Sequence, residues 1–81
     1  MTPAEAFGAA LRRRRLAGGL TQEDLAFASG VDRAFIARIE AGKRQPTITT
    51  ILRLTRALSV PAGDVVAEVE REATDDPAAD S

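Results

Sequence analysis

The sequence predicts an all-α domain built from five short helices. Three observations carry that prediction. Apolar residues recur at three- and four-residue spacings and nowhere alternate as a half-buried strand requires. Four of the five helical stretches open on a residue able to cap an N-terminus, namely Thr2, Thr21, Asp32 and Thr47. Glycine or proline punctuates every gap, at Gly18-Gly19, Gly30, Gly42 with Pro46, and Pro61.

The first helix begins at Thr2-Pro3-Ala4-Glu5, which combines an N-cap, a proline at the first helical position and an acid at the third. It runs to about Ala17. Phe7, Leu11 and Arg15 fall at i, i+4 and i+8 and so share one face. Arg15 therefore continues an apolar stripe, whereas Arg12 and Arg13 read as solvated members of the same arginine run. The second helix is capped by Thr21, with Asp24 three residues on, and carries Leu25, Ala26 and Ala28. Gly30 ends it in the left-handed conformation, and Val31 is the one apolar anchor of the turn. Asp32 caps the third helix, which runs to about Ala41 and stops at Gly42.

Ile36, Ile39 and Glu40 fall at i, i+3 and i+4, so Glu40, like Arg15, borders an apolar face. A charge at the margin of a core is costly unless paired. A guanidinium and a carboxylate pair bidentately. An Arg15–Glu40 ion pair is expected, the alternative being that both side chains snorkel to water.

Pro46 bars helix at Gln45, which leaves Lys43-Arg44-Gln45-Pro46 as a loop. Thr47 caps a fourth helix with a core pattern of Ile48, Ile51, Leu52, Thr55 and Leu58, and Leu54 nearby. Ser59-Val60-Pro61 breaks it. A fifth helix spans Ala62 to about Glu72. Its Val65, Val66 and Val69 are poor helix formers, so packing must hold it. Residues 1–72 thus read as one domain, and residues 73–81 as a disordered acidic tail.

Composition narrows the function. A chain of 81 residues buries a small core and gains from dimerisation. It has no Cys and no His, which removes disulfides, the commonest metal ligands and the commonest general base. No catalytic constellation is present, and no enzyme activity, cofactor, metal or small-molecule ligand is expected. With no long apolar run and no signal-peptide pattern, a cytoplasmic protein without membrane association is expected. The net charge of −1 hides a division. Residues 1–63 carry ten Arg or Lys against five carboxylates, and residues 64–81 carry seven carboxylates against Arg71. The body suits a polyanion.

The second and third helices, with a short glycine-containing turn between them, have the layout of a helix-turn-helix. In that unit the second helix enters the DNA major groove. Leu20-Thr21-Gln22-Glu23-Asp24-Leu25-Ala26, then Gly30-Val31, then Ile36-Ala37-Arg38-Ile39-Glu40-Ala41-Gly42-Lys43-Arg44, then Pro46, together resemble the Cro/C1-type (XRE) helix-turn-helix family of bacterial and phage regulators. The resemblance covers about Phe7 to Val66. It implies a lambda-repressor-like fold, double-stranded DNA as partner and phosphate contact at Gln22. It also implies that the matching Arg15 and Glu40 join the first helix to the recognition helix.

Further roles follow from residue chemistry. Arg33 and Arg38 can each make a bidentate contact to guanine, and Ala34 and Ala37 are small enough for close approach or contact with a thymine methyl. Which arginine reads bases stays open. Lys43, Arg44 and Thr47 suit phosphate. Asp32 reads as a structural cap. Phe35 lies either against the sugar–phosphate or over the core edge.

A homodimer is expected, with Val66 and Val69 meeting a twofold partner, joined by Leu54. Completion of the monomer core by all three valines is the alternative. The resulting reading is a homodimeric regulator of a palindromic operator, autoregulatory in the manner of a restriction–modification controller or a small phage repressor. The competing reading is an antitoxin or protein-interaction adaptor that does not read DNA.

Overall fold

Each helix begins where its first free N–H groups find an acceptor. A computed structural model describes residues 1–74 of the chain. The described residues form α1 (Pro3–Ala17), α2 (Gln22–Ser29), α3 (Arg33–Glu40), α4 (Ile48–Ala57) and α5 (Ala62–Glu72). At α1 the Thr2 hydroxyl accepts from Glu5 N–H at 3.1 Å, and the Glu5 carboxylate accepts from Thr2 N–H at 2.8 Å. Thr21 and Asp24 make the same reciprocal pair at α2, at 3.0 and 2.9 Å. The backbone donors hold both carboxyls below their usual pKa. Asp32 caps α3 through Phe35 N–H at 3.3 Å, and Thr47 caps α4 through Thr50 N–H at 3.2 Å. Only α5 starts without a side-chain cap, at Pro61.

Every helix contributes to one core: Phe7 and Leu11, Leu25, Ile36 and Ile39, Leu54, and Val65. Helix α1 packs on α3 and α5, α2 packs on α3 and α4, and α4 packs on α5. The approach of α1 to α3 depends on Gly8. A Cβ there would run into the carbonyl oxygen of Ile39 and lie 3.0 Å from that of Glu40.

The inward stripe of α4 corrects the expected one. Leu54 is fully buried, and Thr55 lies beside it with its hydroxyl donating to the Ile51 carbonyl at 2.9 Å. Ile48, in the first turn, is 65% exposed. The buried side is Ile51, Leu54, Thr55 and Leu58, at i, i+3, i+4 and i+7, and Leu52 sits at its edge. Leu54 therefore has no surface to offer a partner subunit.

Helix α5 is held by charge as well as by Val65. Arg13, expected to be solvated, reaches Glu72 at 2.9 Å and Glu68 at 3.2 Å. Arg14 donates to the other Glu68 oxygen from Nη2 at 2.6 Å and Nε at 2.9 Å. Burial pushes the Glu68 carboxyl pKa up, but Arg14 and Arg13 outweigh it, and the net shift is downward. Past α5, Thr74 N–H donates to the Met1 carbonyl at 2.9 Å, and the Met1 amine donates to the Thr74 hydroxyl at 2.7 Å. Thr74 belongs to the expected acidic tail, and residues 75–81 of that tail lie outside the described residues.

Candidate nucleic-acid interface

Local chemistry sets the angle between α2 and α3. Gly30 takes φ 72°, the left-handed conformation that ends α2. Val31 is buried behind the turn, and its N–H donates to the Ser29 hydroxyl at 3.1 Å. Asp32 then launches α3. Because Ile36 and Ile39 are fully buried, α3 presents Arg33, Ala34 and Arg38 to solvent, with Ala37 half-buried beside them. Phe35 is half-buried and packs against the core edge, as one of the two readings of it expected.

One carboxylate ties three helices beneath this surface. Arg15 Nε donates to Glu40 Oε2 at 2.7 Å and Arg15 Nη2 to Glu40 Oε1 at 2.9 Å, a bidentate pair. Arg15 Nη1 donates to the Leu20 carbonyl at 2.9 Å. Gln22 Nε2, from the first residue of α2, donates to Glu40 Oε1 at 3.2 Å. Hydrogen bonding to Glu40 raises the Arg15 pKa against the opposing effect of burial. The first turn of α2 is thereby locked to the last turn of α3. Gln22 keeps one amide proton that this bond does not use, at the first residue of α2, where a donor can meet an anionic oxygen.

The second flank of α3 is the loop to α4. Gly42 takes φ 75°, and Lys43 N–H donates to the Arg38 carbonyl at 3.0 Å. Pro46 is buried and anchors the loop, which leaves Lys43, Arg44 and Thr47 exposed. Among the described residues, Arg33, Arg38, Lys43 and Arg44 pair with no carboxylate, whereas Arg13, Arg14 and Arg15 all do. Arg12 adds a residue that sequence reasoning missed. It lines a cleft of about 270 Å³ with Gln22 and Ala37. The only sequence signal for this is its helical spacing from Gly8 and Arg15.

No cluster of described side chains is arranged to hold a metal ion. No described helix is long and apolar enough to cross a membrane.

An exposed cationic helix, joined by a left-handed glycine turn to a helix locked beneath it, defines a DNA-binding helix-turn-helix regulator. Residues 11–65 match the helix-turn-helix family model, and the chain belongs to that family, in its Cro/C1-type (XRE) branch. It is 38% identical over 53 residues to the HTH-type transcriptional regulator y4dJ of Sinorhizobium fredii, covering 65% of this chain and 69% of that protein. Identity to the HTH-type transcriptional repressor RghR of Bacillus subtilis is 48% over 58 residues, or 70% of this chain but only 43% of RghR. Among solved structures, the restriction-modification controller protein C.AhdI of Aeromonas hydrophila superposes with a TM-score of 0.75 at 40% identity, covering 76% of this chain and 94% of that one.

Proposed function

We propose that this regulator acts in the cytoplasm as a homodimer on a two-fold symmetric operator, and that it controls its own expression as a controller-type switch. One observation carries the DNA surface. Among the described residues, Arg33, Arg38, Lys43 and Arg44 have no carboxylate partner and gather on α3 and the loop after it, while the cations of α1 beyond Arg12 are neutralised internally; Arg53 and Arg56 of α4 and Arg71 of α5 are unpaired as well but lie outside this cluster in the chain. Arg33 and Arg38 read base edges. Ala34 and the half-buried Ala37 let the helix approach closely. Gln22, Lys43, Arg44 and Thr47 hold phosphate on either side of α3. Likeness to a restriction-modification controller supports the autoregulatory role.

The test begins with selection of bound duplexes from random sequence, followed by titration at several salt concentrations. Arg38→Ala is expected to cost about 1–3 kcal/mol on the selected duplex and to relax preference at one base pair per half-site. Binding that ignores both sequence and salt would refute the reading.

The twofold contact is assigned to the exposed rim of α5 and α4. Val66 is 46% exposed and Ile48 more so. Val66 and Val69 border an apolar groove of about 160 Å³ with Pro3, Phe7, Pro46 and Ile51. Val69 packs partly against the core, so Val66 is the residue to probe. Val66→Asp is expected to give a folded monomer in sedimentation that binds a full operator weakly and without cooperativity. A variant that still sediments as the wild-type dimer would exclude this surface.

A further inference from the structure

The four consecutive arginines of α1 meet different fates. Arg15 is spent on Glu40, and Arg13 and Arg14 are spent on the carboxylates of α5. Arg12 is exposed and, among the described residues, pairs with no carboxylate.

Its position follows from helix geometry. Gly8, Arg12 and Arg15 lie at i, i+4 and i+7, one stripe of α1. Gly8 meets the Ile39 and Glu40 carbonyls, and Arg15 grips the Glu40 carboxylate. Arg12 lies between these two contacts, on the side of α1 that faces the C-terminal half of α3. The cleft it borders, about 270 Å³, is completed by Arg15, Gln22, Ala37, Glu40 and Ala41. The Glu40 carboxylate already accepts from Arg15 and Gln22. The cleft therefore holds two guanidinium groups against one carboxylate, and one positive charge is left over. Gln22 and Ala37, on its walls, belong to the proposed DNA surface.

We propose that Arg12 is a phosphate-binding residue, which with Gln22 seats one phosphodiester of the DNA backbone in this cleft. Helix α1 thus contributes directly to DNA affinity and does more than brace the reading helix. The proposal rests on the DNA-binding surface assigned above. It names a backbone phosphate, and the contact adds affinity without sequence preference.

The test measures how log K on the selected duplex depends on log salt for the wild type, Arg12→Ala, Arg12→Lys, Arg13→Ala and Lys43→Ala. Arg12→Ala should lower the salt slope by about 0.9 per protomer, or roughly 2 per dimer, because each half of the dimer then neutralises one phosphate fewer. Arg12→Lys should keep the wild-type slope. Arg13→Ala removes the same charge from the α5 side of the helix and should leave the slope near the wild type. The thermal midpoint of Arg12→Ala should match the wild type, because the substitution breaks no intramolecular bond. An unchanged slope in Arg12→Ala, alongside a reduced slope in Lys43→Ala, would overturn the proposal and leave the DNA surface standing. A fall in thermal midpoint for Arg12→Ala would also overturn it, by showing a structural role. A wild-type slope near zero would overturn the DNA surface and this proposal together.

Discussion

Glu40→Ala should lower the unfolding free energy by about 3–5 kcal/mol, although it removes no apolar side chain from the core. The side chains of Arg15 and Glu40 are 9% and 5% exposed, so the pair is largely withdrawn from water and a guanidinium left alone there is poorly compensated. The variant leaves the Arg15 guanidinium with only the Leu20 carbonyl and releases the Gln22 amide. Replacing both partners, Arg15→Met with Glu40→Leu, should recover most of the loss, since an apolar pair carries no stranded charge. Urea midpoints of the three proteins check this. A midpoint unmoved by Glu40→Ala would show that the pair holds nothing together. Under conditions where Glu40→Ala remains folded, its DNA affinity should still fall, because Gln22 loses the anchor that aims it.

Gly8→Ala should destabilise the domain by about 2 kcal/mol. Helix propensity alone predicts the opposite, since alanine in a helix interior gains up to about 1 kcal/mol over glycine. Packing decides the sign. The added methyl would meet the Ile39 carbonyl oxygen, which is backbone and has no rotamer to move to. The two helices must separate, and the fully buried Ile39 lies in that contact. Gly63 is the control. It lies in α5 with open space around it, and Gly63→Ala there should give a small gain. Chemical denaturation of the two variants reads the contrast. A stabilised Gly8→Ala protein would show that α1 and α3 do not pack closely.

Both effects stem from features only partly legible in the chain. The bordering positions of Arg15 and Glu40 are visible from their spacing relative to Phe7, Leu11, Ile36 and Ile39. That Glu40 also carries Gln22 is not visible, because a helix N-terminus and a helix C-terminus meet only once the turn between them is built. The demand for glycine at position 8 leaves no trace either. Within a helix, a glycine facing a neighbouring backbone looks like any other.

Where the helices start and stop, and hence the helix-turn-helix, is written in the residue order. Thr2, Thr21, Asp32 and Thr47 each satisfy an N–H group three residues away, and Gly30 needs nothing beyond its own φ. Such choices are local, so residue order is enough to make them. Which arginines of α1 are paired within the fold follows only from the assembled helices. Arg13 and Arg14 find their carboxylates 54 to 59 residues away, at a distance no spacing rule reaches. Tertiary structure likewise decided the face of α4. Ile48, Ile51, Leu52, Leu54 and Leu58 cover more than one side of that helix, and its register is set by what it packs against. Packed against α2 and α5, α4 turns Leu54 inward and leaves Ile48 exposed.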